Sequence, residues 1–422
     1  MQVLKKAIIS TLGCRLNHAD TALLTSRLYK LGYEVVPENT PDPDLILINT
    51  CAVTQEASAK SRRLTRRWRK NYPNAKIVAL GCASKLNPDD FLSSGANLAG
   101  DNPTKRHLEE LLQAKEIKIE EGDIFKENTS SSFPFRSRAF IKIQEGCNNW
   151  CTYCIVPALR GPERSRNFQE AIDDCKQALD NGFSEIVLTG VNTCAYNDNG
   201  KVLADLIHEV ASLPGDFRIR LSSTEPHPSN KELVDVIANE KKICRFLHLS
   251  LQHGCNRILE KMNRHYSTEE YASFINYARE KIPGIHLGTD IIVGFPGETD
   301  EDFEVCYNFA KQMQFANTHL FRYSPRPGTV AAGYKDLPPV DVVNKRFARL
   351  QELSEKSAYE FAMSQNGIEL PVIYETCNNG YYNGWSDNYL PFHTKVNDTI
   401  TIGKICMAKF DVSNCKKFSD EI

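Results

Sequence analysis

Short apolar runs alternate with amphipathic stretches along the first part of the chain. Three of the runs, "AIISTLGC", "DLILINTC" and "KIVALGC", each end on a cysteine. The run at 45–48 contains no polar residue, which is typical of a strand buried on both faces of a parallel sheet. This alternation predicts a doubly wound parallel α/β domain over residues 1–126.

A second series of strand-like and helix-like segments follows a serine-rich linker at 127–138. Helices are predicted, for example, at 169–180 and 267–280. The series contains six βα units, too few for a closed eight-stranded barrel. We therefore predict a partial (βα)6 TIM-like barrel over 133–365, with its functional residues at the carboxyl ends of the strands.

The pattern changes again near the end of the chain. The segments "YYNGWSDNYLPFHTKV" and "TITIGKICMAKFDV" contain short strand-like stretches separated by Gly, Asn and Asp. We predict a small antiparallel β-barrel over 366–422, which a helix at 341–362 joins to the rest of the chain.

Composition narrows the class of protein. The 422 residues exceed what one core supports, and 41% apolar and 25% charged residues are typical of globular proteins. With a net charge of −2, any nucleic-acid binding must depend on local patches. No apolar run approaches the about 20 residues of a membrane helix, and the stretch after Lys6 is too short for a signal peptide. We expect a cytoplasmic protein without a membrane partner.

Fourteen cysteines without an export signal favour metal ligation over disulfides. Cys147, Cys151 and Cys154 have C-x3-C-x2-C spacing in the loop after the first predicted barrel strand. Thiolates are soft ligands that suit zinc and iron–sulfur clusters. Structural zinc uses four ligands, whereas three thiolates on a four-iron cluster leave one iron open. A zinc knuckle remains the alternative.

Cys14, Cys51 and Cys82 follow three predicted strands at intervals of 37 and 31 residues, about one βα unit each. Because parallel strands end at one edge of a sheet, the three cysteines can meet in space. The alternative is that they fill the core, as free cysteines often do. Core or spectator positions are the interpretation for the remaining eight: Cys175, Cys194, Cys244, Cys255, Cys306, Cys377, Cys406 and Cys415.

The C-x3-C-x2-C loop is similar to the signature of radical S-adenosylmethionine (SAM) enzymes, with Tyr153 at the aromatic position before the last cysteine. Over essentially its whole length the chain resembles the methylthiotransferases. The resemblance depends on Cys14, Cys51 and Cys82 and on the motifs "LTGVN", "LHLSLQHG", "MNRHYS", "GTDIIVGFPGET" and "FRYSPRPGT". Its tail resembles a TRAM RNA-binding domain. His253 departs from the serine that this family has after "LSLQ".

The resemblance implies two [4Fe–4S] clusters and SAM as cofactors. Cys147, Cys151 and Cys154 would hold the cluster that binds SAM and generates a 5′-deoxyadenosyl radical. The group formed by residues 14, 51 and 82 would hold an auxiliary cluster that carries the sulfur. SAM would serve both as methyl donor and as radical source. The resemblance also implies an electron donor such as flavodoxin or ferredoxin, and we expect a monomer.

Two short motifs indicate the substrate. "RLSSTEP" (220–226) and "GWSDNYL" (384–390) resemble the threonylcarbamoyladenosine branch of the family. This branch implies methylthiolation at C2 of N6-threonylcarbamoyladenosine at position 37 of tRNA, beside the anticodon. Isopentenyladenosine 37 of tRNA and an aspartate of a ribosomal protein are alternative substrates. A non-catalytic, metal-containing RNA-binding protein is the alternative from another class.

Matched motif positions supply further predicted site residues. Arg220 and Glu225 are predicted to contact the threonylcarbamoyl group or the carboxylate of SAM. The predicted SAM-binding residues are Tyr153, Gly190, Ser223, Gln252, Ile292 and Gly294. Four aromatic residues of the tail are candidates either for base stacking or for core packing: Tyr381, Tyr382, Trp385 and Tyr389.

The segment "KSRRLTRRWRK" (60–70) supplies a local positive patch. Seven of its eleven residues are Lys or Arg, enough for contacts to the phosphates of a tRNA anticodon stem-loop. Leu64 and Trp68 lie four residues apart and are predicted to anchor this helix to the core. A solvated basic face is the alternative. Arg66 and Arg67 are predicted to contact the substrate. The cations predicted around the rest of the helix are Arg62, Arg63, Arg66, Arg67, Arg69 and Lys70.

Overall fold

The computed structural model describes residues 4–113, 137–226 and 230–413. The first domain contains a five-stranded, fully parallel sheet in the order β2-β1-β3-β4-β5. Its elements are β1 (Lys5–Thr11), α1 (Arg15–Lys30), β2 (Tyr33–Val35), β3 (Leu45–Thr50), α2 (Gln55–Asn71), β4 (Lys76–Gly81), α3 (Cys82–Leu86), α4 (Pro88–Ser93), β5 (Leu98–Gly100), a 3₁₀ helix (Pro103–His107) and α5 (Leu108–Leu112).

The hydrophobic pattern explains this sheet. Every residue of the central strand β3 is buried, as the uninterrupted apolar run predicts. Helix α2 begins at the N-cap Thr54, whose side chain accepts a hydrogen bond from the amide of Ala57. Trp68 anchors α2 as predicted: its side chain is buried, and its Nε1 donates to Ser10 Oγ at 3.0 Å.

The second domain is a partial barrel of six main parallel strands. They form the sheets β12-β9-β6 and β13-β14-β15-β16, which a backbone bridge between Ile219 and Ile243 connects. The main strands and the helices are β6 (Ala139–Lys142), α6 (Val156–Arg160), α7 (Phe168–Asp180), β9 (Glu185–Thr189), α8 (Leu203–Ser212), β12 (Arg218–Leu221), α9 (Asn230–Asn239), β14 (Phe246–Leu249), α10 (Asn256–Lys261), α11 (Thr268–Lys281), β15 (His286–Val293), α12 (Asp300–Met313), β16 (Asn317–Arg322) and α13 (Val340–Ser364).

Several shorter elements complete this domain. The two-residue strands are β7 (Gln144–Glu145), β8 (Arg164–Ser165), β10 (Asn197–Asp198), β11 (Lys201–Val202) and β13 (Ser223–Thr224), and two 3₁₀ turns lie at Thr193–Ala195 and Val330–Gly333. The inner strands and the inward faces of the helices share one large apolar core. The observed helices α7, α11 and α13 agree with those predicted at 169–180, 267–280 and 341–362.

The third domain is a four-stranded antiparallel sheet in the order β19-β18-β17-β20. Its strands are β17 (Glu369–Asn378), β18 (Tyr381–Ser386), β19 (Pro391–Lys395) and β20 (Ile405–Lys409). A separate apolar cluster, which includes Leu370, Val372 and Phe392, forms its core. The arrangement agrees with the predicted small β-barrel, and the predicted mixture of parallel α/β domains and an antiparallel tail is confirmed.

The predicted boundary between the first two domains lies within 114–136, outside the described residues. The same holds for most of the predicted linker at 127–138 and for Cys415. Near the predicted second boundary, α13 ends at Ser364 and β17 begins at Glu369. Among the helices that the structure describes, none combines the length and the apolar character needed to cross a membrane.

Candidate active site

The three strand-end cysteines of the first domain converge. Cys14 directly precedes α1, Cys51 directly follows β3, and Cys82 begins α3. Burial, together with the proximity of Cys14 and Cys82, raises the pKa of Cys51 to about 11. Gly13, at φ +99°, passes so close that an added Cβ would lie 2.7 Å from Cys51 Sγ. The three thiols therefore face one small space at the carboxyl edge of the sheet.

Polar groups surround this first cysteine group. Asn102 Nδ2 donates to Cys82 Sγ at 3.3 Å. The barrel contributes Arg160, which lies near Cys82 and Cys14. Burial alone would lower the pKa of Arg160, but these thiols and the nearby carboxylates raise it well above its ordinary value. Such donors and positive charge suit sulfur that carries negative charge.

A buried ionic cluster fixes the first domain against the barrel. Asp20 of α1 accepts from Lys105 at 2.7 Å, from Lys142 of β6 at 3.0 Å and from Arg160 of α6 at 3.3 Å. Glu145 accepts from Arg160 at 2.8 Å and pairs with Lys142 at 3.3 Å. Burial opposes ionisation of Asp20, but the three cations hold its pKa well below its ordinary value. The cluster thus sets the orientation of α1, and with it Cys14.

The second cysteine group lies in one loop that follows β7. Gly146, at φ +74°, opens the loop, and an added Cβ there would lie 1.9 Å from the carbonyl oxygen of Pro162. Arg264 Nη1 donates to Cys151 Sγ at 3.1 Å. Burial raises the pKa of Cys147 to about 11 and that of Cys154 to about 12. Cluster ligation would require these protons to leave, as metal binding to thiols does.

A cavity of about 280 Å³ lies between the cysteine loop of the barrel and the first domain. The three loop cysteines line it on the barrel side, while Val53 and Thr54, which follow Cys51, line it from the first domain. The other lining residues are Trp150, Tyr153, Val156, Pro157, Val191, Ser223, Glu225, Ser250, Gln252, Asp290, Ile292, Phe321, Arg322, Tyr323 and Ser324. The cavity is therefore bounded by both domains that carry cysteine groups.

Four of the predicted SAM-binding residues line this cavity: Tyr153, Ser223, Gln252 and Ile292. Gln252 adopts φ +68°, while its backbone amide donates to the Asp290 carbonyl at 2.8 Å. This left-handed backbone at a strand end is typical of strain held at a functional site.

Gly190 and Gly294 lie beside the cavity lining. An added Cβ at Gly190 would lie 2.8 Å from Gln144 Oε1, which accepts hydrogen bonds from the next two amides at 2.9 Å. An added Cβ at Gly294, at φ +77°, would lie 2.6 Å from Val343. Both positions therefore favour glycine, because the Cβ of any other residue would lie too close to a neighbouring side chain.

The two predicted substrate residues from "RLSSTEP" separate in space. Glu225 lines the cavity and accepts from Arg264 Nη1 at 3.1 Å and from Asn149 Nδ2. Arg220 lies elsewhere, fully buried. Its Nε donates to Glu185 at 2.7 Å, and its terminal nitrogens donate to the carbonyls of Asp387 and Ser386 at 3.0 and 2.9 Å.

The structure gives Arg220 a structural role, and its predicted contact to the threonylcarbamoyl group or to the carboxylate of SAM stays a prediction. Its guanidinium is committed to Glu185 and to the backbone of the third domain, so Arg220 anchors that domain to the barrel. Motif spacing alone could not show this, because neighbouring strand residues face opposite sides.

Helix α2 presents a positive face. Arg66 and Arg67 are exposed, as are Lys60, Arg63 and Lys70. The prediction that Arg69 is available to contact RNA is wrong. Its guanidinium donates to the carbonyls of Gly95, Pro73 and Ala75 and to Asn97. Arg62 pairs with Asp90 at 3.4 Å.

The positive face begins at the cavity. The first residue of α2, Gln55, donates from its backbone amide to Ser324 Oγ at 3.1 Å, and Ser324 lines the cavity. The exposed cations of α2 therefore extend outward from the cavity mouth.

The tail aromatics divide between core, surface and domain junction. Trp385 and Tyr389 stack on each other with centroids 4.7 Å apart, at the junction with the barrel. Tyr382 packs against the core of the third domain. Tyr381 is 36% exposed and stacks on His393 at 4.3 Å.

Two features at the cavity were not predicted from the sequence. Trp150, inside the cysteine loop, is 66% exposed at the cavity rim and has φ +49°. Asp290 also lines the cavity, and its Oδ1 lies 3.0 Å from Nε2 of the buried His248 and 3.2 Å from Nδ1 of the exposed His319. The position of Trp150 inside a loop of metal ligands is a sequence signal that could have identified it. His248, Asp290 and His319 come from three different strands, and no regular spacing in the sequence connects them.

Comparisons with known proteins identify relatives along most of the chain. Residues 141–310 match the Radical SAM superfamily, and residues 6–99 match the Uncharacterized protein family UPF0004. The chain is 39% identical to the threonylcarbamoyladenosine tRNA methylthiotransferase MtaB of Aquifex aeolicus (strain VF5), covering 87% of this chain and 92% of the relative. The same-named protein of Bacillus subtilis (strain 168) is 36% identical over 94% and 92% of the two chains.

A related activity also appears among the relatives. The tRNA-2-methylthio-N(6)-dimethylallyladenosine synthase of Rickettsia conorii (strain ATCC VR-613 / Malish 7) is 31% identical over 99% of both chains. Among solved structures, the radical S-adenosylmethionine methyltransferase TsrM of Kitasatospora setae matches with a TM-score of 0.56 and 14% identity, over 97% of this chain and 88% of that one. That similarity shows the fold alone. From the identity and coverage of its relatives, the chain belongs to the methylthiotransferase family of radical SAM enzymes.

Proposed function

We propose that this chain methylthiolates C2 of N6-threonylcarbamoyladenosine 37 in tRNA. The observation that carries the proposal is one cavity that the three loop cysteines of the barrel line on one side and that Val53 and Thr54, which closely follow Cys51 in the first domain, line on the other. A reaction that joins a carbon radical to a sulfur donor needs two cofactors facing one substrate carbon. The names of the relatives at 39% and 36% identity support the threonylcarbamoyl substrate.

The residues fit the cofactors of the family. Each group offers three soft sulfur ligands, leaving one cluster position open. We assign Cys14, Cys51 and Cys82 to an auxiliary [4Fe–4S] cluster, and the loop cysteines Cys147, Cys151 and Cys154 to the cluster that binds SAM. When bound, the clusters and SAM supply the radical, the sulfur and the methyl group.

The chain positions these groups and excludes water. Arg264 and Asn102 donate to cysteine sulfur, which stabilises negative charge there. Tyr153 and Ile292 belong to a buried apolar cluster beside the loop and form one wall of the cavity. Val53 and Thr54 close the opposite side. Glu225, fixed by Arg264 and Asn149, is the proposed polar contact for substrate or SAM.

We propose that the exposed cations of α2, including Arg66 and Arg67, bind phosphates of the anticodon stem-loop. They extend from the cavity mouth, so one RNA can contact both. A base that reacts inside such a cavity must leave its stack. Trp150 at the rim offers an exposed ring for a neighbouring base.

We further propose that the enzyme acts in the cytoplasm as a monomer and receives electrons from a flavodoxin- or ferredoxin-type protein. The required one-electron reduction and the tRNA substrate support this placement.

Nucleoside mass spectrometry of tRNA from cells lacking this protein tests the function. We expect loss of 2-methylthio-N6-threonylcarbamoyladenosine with retention of its unmethylthiolated precursor, and rescue by the wild-type gene. Loss of the methylthio form of isopentenyladenosine instead would contradict the proposed substrate. Unchanged tRNA together with a lost methylthio-aspartate in a ribosomal protein would support that alternative.

A further inference from the structure

A second cavity, of about 400 Å³, lies where the three domains meet. Its lining residues are Arg15, His18, Ser137, Arg138, Phe140, Val187, Arg220, Glu375, Thr376, Trp385 and Tyr389. Three of these are arginines, and none of the three lines the cysteine-lined cavity. This three-domain cavity is therefore a separate site with a concentration of positive charge.

Two of the arginines are committed to carboxylates. Arg138 Nε lies 2.5 Å from Glu375 and 3.6 Å from Glu185. Arg220 Nε lies 2.7 Å from Glu185. Glu185 also pairs with Arg218 at 2.5 Å, so three guanidiniums share this carboxylate. Of the three arginines that line the cavity, one has a positive charge without a carboxylate partner among the described residues.

That charge is on Arg15. Among the residues that the structure describes, no carboxylate pairs with it. Its Nη1 donates to the carbonyl of Leu221 at 3.0 Å. Its guanidinium lies over the rings of Phe246 and Tyr389, 5.3 and 5.7 Å from their centroids. An arginine has five N–H donors in a fork that matches a carboxylate, so donors remain for a ligand.

The electrostatics of Tyr389 agree with a surplus of positive charge. Burial raises the pKa of its hydroxyl, but Arg15, Arg138 and Arg220 more than offset burial and lower that pKa overall. A negative group is therefore favoured at this end of the cavity.

Arg15 is also joined to the chemistry. It directly follows the proposed cluster ligand Cys14 in the chain. The carbonyl that it binds, that of Leu221, lies two residues before Ser223, which lines the cysteine-lined cavity. Arg220 and Ser223, three residues apart, line the two cavities, so the three-domain cavity adjoins the cysteine-lined one.

We propose that Arg15 binds the carboxylate of the threonyl group carried by the substrate nucleoside and so determines specificity for that nucleoside. This inference rests on the proposed function. The threonylcarbamoyl group ends in a carboxylate and a hydroxyl, which match a guanidinium that has no carboxylate partner among the described residues, and its polar neighbours. A dimethylallyl group in the same place would leave the half-buried charge without an anion, which is unfavourable.

Binding of synthetic anticodon stem-loops tests this assignment. The full-length enzyme with both clusters is titrated anaerobically against RNA carrying threonylcarbamoyladenosine and RNA carrying its carboxamide analogue, using fluorescence anisotropy. We expect wild type to bind the carboxylate form on the order of 10- to 100-fold more tightly, as for a charge-assisted contact. Arg15→Gln should bring this ratio near one, while Arg15→Lys should keep part of it.

Arg67→Gln is the matched control, because it removes an exposed arginine on α2. It should weaken binding to both RNAs by the same factor and leave the ratio unchanged. If Arg15→Gln behaves like this control, Arg15 contacts RNA phosphate and the inference is overturned. A wild-type ratio near one overturns it without any variant, so a misfolded Arg15 variant does not remove the test.

The same two RNAs, together with a third that carries isopentenyladenosine, separate this inference from the proposed function. If wild type forms product on the threonylcarbamoyl RNA but binds the carboxamide RNA equally well, only the role of Arg15 is overturned. Product formed on isopentenyladenosine RNA and not on threonylcarbamoyl RNA would overturn both.

Discussion

The two cysteine groups are built in opposite ways. Cys147, Cys151 and Cys154 share one loop of eight residues, whereas Cys14, Cys51 and Cys82 come from three strand ends separated by 37 and 31 residues. The loop group depends on local backbone, with Gly146 at φ +74°. The other group exists only when the parallel sheet of the first domain forms. One site is thus local in the sequence, and the other depends on long-range structure.

The largest effect should come from the local site. Replacing Cys147, Cys151 and Cys154 with Ala should abolish SAM cleavage and all product, because no other described group offers three thiols on the barrel side of the cavity. Anaerobic assay of 5′-deoxyadenosine measures this. Formation at the wild-type rate would refute the assignment.

The long-range site should separate the two halves of the reaction. Replacing Cys14, Cys51 and Cys82 with Ala should end methylthio transfer but spare SAM cleavage, since the loop site is intact. The measurement is 5′-deoxyadenosine beside methylthio product in one reaction. Full product from this variant would remove the first group from the mechanism.

The domain junction should show the next largest effect. Asp20→Asn leaves Lys105 without a carboxylate partner among the described residues and leaves Lys142 and Arg160 to share Glu145, which we expect to destabilise the fold by roughly 3–5 kcal/mol. Urea unfolding monitored by circular dichroism measures the loss. Lys60→Asn, on the exposed face of α2, is a control expected to change stability little.

The same carboxylate gives a pH dependence. The pKa of Asp20 in the folded protein is well below its ordinary value. Its contribution to the free energy of unfolding is therefore complete above the unfolded pKa of about 4 and is lost as pH falls through the folded pKa. Wild type should lose more stability in acid than Asp20→Asn. Parallel acid profiles of the two proteins would contradict this assignment.

Glycine substitution sharpens the contrast between the sites. Gly13→Ala would bring a Cβ 2.7 Å from Cys51 Sγ, so we expect loss of the auxiliary cluster and about half of the bound iron. Gly32→Ala is the matched control, because Gly32 also has positive φ (+76°) but has no atom within 4 Å of an added Cβ. Equal iron content in the two variants would show that Gly13 is not required.

The smallest effect should come from α2. Arg66→Gln and Arg67→Gln together should weaken RNA binding and reduce the salt dependence of the binding constant, by about one unit of log–log slope for each phosphate that the variant no longer neutralises. SAM cleavage without RNA should not change. An unaltered salt slope would favour a solvated basic face.

Sequence patterns predicted most of the architecture because burial leaves periodic signals. The apolar run at 45–48 became a fully buried strand, and the four-residue spacing of Leu64 and Trp68 placed α2 on the core. Side-chain commitments left no such signal. Nothing in the sequence distinguishes Arg220 and Arg69 from free cations, but each donates to partners from distant segments.

The sequence by itself determined the local ligand loop, the order of βα units and the family resemblance, because those depend on spacing and hydrophobic period. Only the tertiary structure decided that the first domain and the cysteine loop of the barrel line one cavity, that Asp20 joins the first domain to the barrel, and that Arg15 keeps its charge without a carboxylate partner among the described residues. The physical reason is that charge pairing and cavity shape depend on groups far apart in the chain, and folding alone brings these together.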